Sequence, residues 1–185
     1  MKTAYVALLV GVLMLSTAEA GDETMSKRSD ALMSALNVEQ ARDTVLSDRT
    51  ESGLSGLKFK MVGALTVSHR QALEDGENDI DDELTFSNDK GVAKAFGKVK
   101  YRKTSKAAQL ALFEDLAMNS LPMNLLLERY EIDKKGPGDL CIADKLKERV
   151  HFIRGNVAVS VRSEDAEVNA KELARHMDQV LVEGN

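Results

Sequence analysis

The sequence predicts an α+β fold in a single domain: an antiparallel sheet with two main helices packed on one of its faces. Two patterns lead to this prediction. Several short segments alternate apolar and polar residues, as half-buried strands do. Two longer segments, near residues 105–119 and 165–183, place apolar residues at helical spacing.

The first twenty residues have the composition of a secretory signal peptide. Lys2 precedes an apolar run from Ala4 to Leu15, and small and polar residues follow up to Ala18-Glu19-Ala20, an A-x-A cleavage site. A membrane-spanning helix needs about 20 apolar residues, so this run is too short to be one. The sequence therefore predicts an exported protein, periplasmic or secreted, that starts at Gly21 and keeps no stable membrane span.

The rest of the chain is long enough for one domain. Removing 20 residues from 185 leaves 165, a length that can bury a stable core without disulfides or metals. Residues 21–56 are expected to be a polar leader with room for one short helix, and residues 57–185 the α+β domain. The formal charge of −5 lacks the basic excess of nucleic-acid-binding proteins, so nucleic acid is not an expected partner.

Three consecutive segments define the start of the domain. LKFKMVGALTV alternates with a period of two and predicts a strand over residues 57–67. EDGENDIDDE carries seven acidic residues without the spacing of a calcium loop, so we expect a solvated acidic loop, followed by a strand at residues 84–87. KGVAKAFGKVKYRKTSK predicts a strand over residues 95–103 whose basic side chains face water.

The second half continues with strand and helix signals. After the helix at residues 105–119, strands are predicted at 139–144, 149–154 and 157–162, and the closing helix at 165–183. Gly155 and Asn156 are expected to form a two-residue loop, because glycine at the first central position suits a type II′ turn. The expected core residues include Phe59, Leu65, Val99, Leu112, Leu116, Phe152, Val159, Leu173 and Met177.

Three C-terminal segments carry a resemblance to a known group of proteins. GPGDLCIAD, VHFIRGNVAVSVRS and ELARHMDQVL, within residues 136–182, resemble the C-terminal part of secreted bacterial domains of unknown function. In those domains a Gly-Asp element precedes a strand–RGN–strand hairpin and a closing helix. The resemblance implies an exported bacterial domain and implies no catalytic residues.

One pair of residues is a candidate for nucleophilic catalysis. Cys141 is the only cysteine, and a histidine within hydrogen-bond reach, such as His151, could activate its thiol. If residue 144 pairs with residue 149 across the turn, Cys141 faces Phe152 in the core and His151 points to the other side. A shift of one residue would place Cys141 and His151 on the same face. The first register keeps Cys141 with apolar residues, so a thiol-dependent enzyme is not the favoured interpretation.

The histidines do not predict a metal site. His69, His151 and His176 lack the spacing of a helical metal pair, and the single cysteine cannot complete a zinc site of the usual kinds. His176 falls on the solvent side of the last helix and His69 follows the first strand. We therefore expect neither a metal nor another cofactor.

The favoured function is an exported, non-catalytic domain that binds a protein partner or an envelope component, with the oligomeric state left open. The alternative is an anionic-ligand site. Lys98, Lys100 and Arg102 alternate along one strand, where they would share one exposed face and could bind a lipid headgroup or another anion. Arg154 would extend this surface if the tip of the hairpin reached the same side. A solvated strand face without a ligand is the simpler interpretation.

Overall fold

The computed structural model describes residues 25–38, 60–73, 79–118 and 121–183. Within these residues the chain forms four helices and eight strands. In chain order they are α1 (residues 25–35), β1 (Met61–Val62), β2 (Leu65–Leu73), β3 (Ile80–Ser87), β4 (Ala93–Tyr101), α2 (Ser105–Ala117), α3 (Met123–Arg129), β5 (Tyr130–Ile132), β6 (Leu140–Asp144), β7 (Arg149–Arg154), β8 (Val157–Ser163) and α4 (Ala170–Glu183). The predicted signal peptide, residues 1–20, lies outside the described residues.

The strands form one antiparallel sheet, which confirms the predicted α+β class. Their order across the sheet is β1-β2-β3-β4-β8-β7-β6-β5. β1 to β4 form one meander and β5 to β8 a second, and the two meanders join where β4 pairs with β8. The β7–β8 hairpin therefore lies in the middle of the sheet.

Helices cover both faces of the sheet, so the prediction of two helices on one face is wrong. On one face, here called the α4 face, Leu173 and Met177 of α4 share a core with Phe152 and Val159. On the other, the α2 face, residues of α1, α2 and α3 share a second core with Ile153. β7 and β8 are apolar at successive positions, not only at alternate ones, which is the pattern of central strands buried on both sides.

The helix α1 falls in the segment predicted to be a polar leader. Its Leu32, and Val38 just after it, are buried in the core on the α2 face. The sequence of this segment is mostly polar because polar residues occupy the exposed side of the helix. Residues 25–38 therefore pack as part of the domain whose start was predicted at residue 57.

The first predicted strand is a short hairpin instead. β1 pairs with the start of β2, and Gly63 in the turn between them has a φ of 61°, which glycine adopts readily. The turn interrupts the alternation, so Met61 is exposed and Val62 is buried. Leu65, predicted in the core, is partly buried, and Phe59 lies outside the described residues.

The remaining predictions of core residues and late elements are confirmed. The seven other predicted core residues are all buried: Val99, Leu112, Leu116, Phe152, Val159, Leu173 and Met177. β6, β7 and β8 lie where they were predicted. The helix α4 begins at Ala170, later than predicted, because the side chain of Asn169 caps it by accepting a hydrogen bond from the backbone N–H of Lys171.

The β7–β8 hairpin has the predicted register and turn. Arg154 lies opposite Val157, and Phe152 lies opposite Val159. Gly155 has a φ of 57° whereas Asn156 does not have a positive φ, as a type II′ turn requires. The RGN sequence is thus a bend between two strands, and the role of Arg154 depends on what surrounds it.

β3 begins at Ile80 and takes in part of the acidic segment. Asp81 and Asp82 are buried, so the predicted solvated loop is wrong at these positions. Ionised carboxylates are rarely buried without a partner, and here β4, which carries the basic residues, is the neighbouring strand. Residues 74–78 of the acidic segment lie outside the described residues.

Candidate functional site

The basic residues of β4 share one face, as their alternation predicts, but this face is not open to water. It is the α2 face, and Lys100 and Arg102 are each 7% exposed. The prediction that they are solvated is therefore wrong. The alternation along the strand is as predicted. It could not show that α1 and α2 pack over these residues.

Carboxylates on neighbouring elements compensate the three charges. Lys100 Nζ lies 2.7 Å from Asp115 Oδ1 of α2. Lys98 Nζ lies 2.9 Å from Asp81 Oδ2, and Arg102 Nη2 lies 2.8 Å from Asp81 Oδ1. Burial alone would raise the pKa of Asp81, but hydrogen bonds from Lys98 and Arg102 outweigh it and hold the pKa below its ordinary value. An external anion would have to displace these carboxylates.

A cavity of about 670 Å³ lies between α1, α2 and the end of β4. Lys100 and Arg102 line it, together with apolar side chains that include Met25, Leu110 and Met118. Because both cations are ion-paired inside the protein, this cavity does not restore the predicted anion site.

Arg154 lies on the α4 face and does not extend the basic strand. Its Nε and Nη2 donate to Asp178 Oδ1 and Oδ2 at 2.8 and 2.6 Å, which is a bidentate pair. Its Nη1 donates to Asp139 Oδ1 at 2.6 Å. Hydrogen bonds from the guanidinium to Asp178 raise the pKa of Arg154 despite its partial burial. We call Arg154, Asp139 and Asp178 the arginine clamp.

Backbone groups complete the clamp. Gly155 N donates to Asp139 Oδ2 at 2.7 Å, and Gly138 N donates to Asp178 Oδ2 at 3.0 Å. The clamp therefore ties the Gly-Asp loop before β6, the RGN hairpin and the closing helix to one another. These are the three segments that carry the resemblance noted in the sequence, and here Arg154 connects them structurally.

Cys141 and His151 are not brought together. Cys141 lies opposite Phe152, the register favoured from the sequence, and it belongs to the core on the α4 face whereas His151 points to the α2 face. Burial raises the pKa of the Cys141 thiol to about 12 and lowers the pKa of His151 to about 4. The nearest polar partner of His151 is Ser160, whose Oγ lies 2.9 Å from Nδ1.

The other two histidines lie apart from each other. His69 Nδ1 is 2.7 Å from Asp82 Oδ2 on the α4 face, a pairing the sequence did not indicate because the acidic segment was expected to be a loop. His176 is exposed, and its Nδ1 lies 2.8 Å from the Glu172 carbonyl oxygen one turn earlier in α4. Among the described residues, no three His, Cys, Asp or Glu side chains are grouped as metal ligands would be.

A second cavity lies at the end of the sheet where β7 begins and β8 ends. It has a volume of about 750 Å³ and is open to solvent, between the β6–β7 turn and the loop that leads into α4. Its charged lining consists of Lys147, Arg149, Arg162, Glu148, Glu164 and Asp165. We call it the Arg149 cavity.

The acidic residues of the Arg149 cavity are ion-paired, whereas Arg149 interacts with the Tyr130 hydroxyl and has no carboxylate partner among the described residues. Glu148 Oε2 lies 3.0 Å from Arg129 Nη2, and Glu164 Oε1 lies 2.6 Å from Arg162 Nε. Asp165 accepts a hydrogen bond from Lys94. The half-buried Arg149 has no carboxylate within ion-pair distance among residues 25–38, 60–73, 79–118 and 121–183, and its Nε is buried without an acceptor there.

The Arg149 cavity was not predicted from the sequence, although the hairpin register in the sequence already indicates an unusual pair of charges. The hairpin register that places Phe152 opposite Val159 also places Arg149 opposite Arg162. Two cations directly opposite each other on neighbouring strands repel, so the pair could have been singled out before the structure was known. Only the surrounding loops show that Arg162 has a carboxylate partner and that Arg149 lacks one.

The chain matches none of the protein families, curated proteins or solved structures with which it was compared. Among the described residues, no helix combines the length and the apolar character needed to cross a bilayer.

Proposed function

We propose that this protein is an exported, non-catalytic domain that binds an envelope component in the Arg149 cavity. The observation that carries the proposal is Arg149 itself. Buried charged groups are normally paired with an opposite charge, and Arg149, whose Nε is buried, lines an open cavity without a carboxylate partner among the described residues. Export enters the proposal from the signal-peptide pattern of residues 1–20 and from the C-terminal resemblance.

The size and lining of the cavity support binding. Ligand cavities in proteins typically have volumes of roughly 300–1,000 Å³, and the Arg149 cavity has about 750 Å³. Arg149 and Arg162 lie on β7 and β8, while Asp165 and Glu148 form ion pairs with Lys94 and Arg129. A ligand would therefore meet a largely prearranged set of polar groups, which lowers the entropic cost of binding.

The environment of Cys141 favours binding over thiol chemistry. A nucleophilic cysteine needs a lowered pKa and access to substrate. The thiol of Cys141 is buried, and its pKa is raised to about 12. His151, the proposed activating base, lies on the other side of the sheet.

A fluorescent reporter at the rim of the cavity tests the proposal. Leu146 lines the cavity and is 63% exposed, so Leu146→Cys provides a labelling site, while the buried Cys141 should not react. The labelled protein is titrated with separated lipid, glycan and protein fractions of a bacterial envelope. The matched control is Val182→Cys, at an exposed position on α4 outside the cavity lining.

We expect one fraction to change the fluorescence at residue 146 saturably and to leave the label at residue 182 unaffected. Equal responses at both positions, or no response at residue 146, would refute binding in this cavity. Turnover of a component of that fraction by the unlabelled protein would refute the non-catalytic assignment.

A further inference from the structure

We infer that the group bound in the Arg149 cavity is a phosphate-type oxyanion, held jointly by Arg149 and Arg162. This inference rests on the proposed function and names the chemistry of its ligand. It begins with the placement of the two arginines, which lie directly opposite each other on β7 and β8. Residues in register on antiparallel neighbours point to the same face, so both guanidinium groups extend from the α2 face at the rim of the cavity.

Like charges directly opposite each other on paired strands destabilise the protein. The positive charge of Arg149 is also felt by its neighbours: after burial, it is the largest cause of the low pKa of His151. Lys147 adds a further exposed cation to the lining. An anion placed between the arginines would relieve this repulsion, and that relief would appear as binding free energy.

The carboxylate closest to the pair does not neutralise it fully. Glu164 pairs with Arg162, but their side chains are 45% and 48% exposed, and ion pairs between such exposed groups contribute little. Arg162 also lies with its Cζ 5.6 Å from the centre of the Phe96 ring, which keeps its side chain extended along the sheet. Glu164 can therefore yield to an incoming anion while Arg162 stays in position.

The chemistry of the two arginines favours phosphate over a carboxylate. One guanidinium satisfies both oxygens of a carboxylate in a bidentate pair, as Asp178 does for Arg154. A phosphate group has more acceptor oxygens and can take hydrogen bonds from two guanidinium groups at once. The acidic residues Glu148, Glu164 and Asp165 around the same cavity would repel a long polyanion, so the ligand carries a single phosphate group.

Calorimetric titration of the full-length mature protein tests the inference. The probes are inorganic phosphate, vesicles of phosphatidylglycerol and vesicles of phosphatidylcholine. Arg149→Gln removes the cation that has no carboxylate partner. Arg175→Gln is the matched control, because Arg175 is an exposed cation on α4 that pairs with Glu172 outside the cavity.

We expect phosphate or phosphatidylglycerol to bind the wild type and Arg175→Gln alike, and Arg149→Gln to bind at least about tenfold more weakly, since a charge-assisted hydrogen bond contributes about 1.5–3 kcal/mol. Arg149→Gln should also melt no lower than the wild type at low salt, because the substitution removes repulsion. That result shows that weaker binding does not come from misfolding.

The outcomes separate the possible sources of phosphate. Binding of inorganic phosphate indicates a soluble phosphate ester, and binding of phosphatidylglycerol vesicles alone indicates a lipid headgroup; either supports the inference. No binding of any probe, or equal losses in Arg149→Gln and Arg175→Gln, would overturn it. If no probe binds but the reporter at residue 146 still responds to an envelope fraction, the cavity binds a different ligand and the proposed function is supported. If the reporter does not respond either, the phosphate ligand and the proposed function are both refuted.

Discussion

Two arginines at the ends of one strand have opposite environments. Arg149 begins β7 and Arg154 ends it, and because their positions differ in parity they point to opposite faces of the sheet. Arg154 is held by two carboxylates in the arginine clamp, whereas Arg149 has none among the described residues. The same residue type is therefore ion-paired twice at one end of the strand and lacks a carboxylate partner at the other.

His151 should make the stability of the fold depend on pH. Burial lowers its pKa from 6.5 to about 4, so the folded protein favours the neutral ring and the unfolded chain binds the proton more readily. The stabilisation is complete above pH 6.5 and is lost as the pH falls towards 4. At about 1.4 kcal/mol per pKa unit, the loss is about 3 kcal/mol.

The measurement is the free energy of unfolding in urea at several pH values between 7.5 and 4. The control is His151→Gln, which keeps a polar side chain opposite Ser160 but cannot be protonated. Carboxylates that titrate in this range contribute to both proteins, so the difference between the two curves isolates His151. Parallel curves for the wild type and the variant would show that His151 is not the titrating group.

At the scale of secondary-structure elements, two segments of opposite charge neutralise each other. The sequence suggests an acidic loop and a solvated basic strand, but β3 and β4 are neighbours in the sheet. Asp81 of β3 forms ion pairs with both Lys98 and Arg102. Breaking a buried ion pair is costly because it leaves one charge without a partner. Each of these basic residues is therefore stabilised by the carboxylate next to it.

The loop before β6 depends on one glycine. Gly138 has a φ of 77°, and a Cβ atom there would lie 2.4 Å from the carbonyl oxygen of Ile153. We expect Gly138→Ala to destabilise the protein by about 3 kcal/mol or more, because the left-handed conformation is strained for alanine and the contact is with backbone that cannot move aside. Thermal or urea unfolding measures the effect.

Gly91→Ala is the matched control for Gly138→Ala. Gly91 has a φ of 73°, but a Cβ atom there would meet nothing within 4 Å. It should therefore show the cost of backbone strain alone, about 1 kcal/mol. If both substitutions cost the same, the close approach of the Gly-Asp loop to β7 is not a constraint on the fold.

In the molecule as a whole, helices on both faces bury the central strands between two cores. Phe152 and Ile153 are neighbours in sequence, each 0% exposed, and they belong to the cores on opposite faces. We expect Phe152→Ala to cost about 3–5 kcal/mol and Ile153→Ala about 2–5 kcal/mol. Urea unfolding of the two variants measures both values.

The exposed Leu146 provides the control for these core substitutions. Leu146→Ala, at a side chain that is 63% exposed, should change the free energy of unfolding by less than about 0.5 kcal/mol. If both main helices packed on one face, as the sequence predicts, Ile153 would face solvent and Ile153→Ala would resemble Leu146→Ala. A small cost at Ile153 would therefore contradict helices on both faces.

Features that depend on neighbours along the chain could be predicted from the sequence. The register of the β7–β8 hairpin follows from Gly155 and the period-two pattern around it. The register favoured for β6 and β7, which keeps Cys141 with the apolar residues opposite Phe152, separates Cys141 from His151. The amphipathic closing helix was equally evident, since helical periodicity is a local property. These features gave the α+β class and most of the core on the α4 face.

Features that depend on residues far apart in the chain could not be predicted, because they follow from how the elements pack in space. The alternation of β4 separates its two faces but does not say that α1 and α2 cover the basic one, and this is why Lys100 and Arg102 were expected in water. Similarly, Arg149 and Arg154 are chemically identical in the sequence. Asp178, brought in by the closing helix, pairs with Arg154, and no carboxylate among the described residues pairs with Arg149, because charge compensation is set by distance in space.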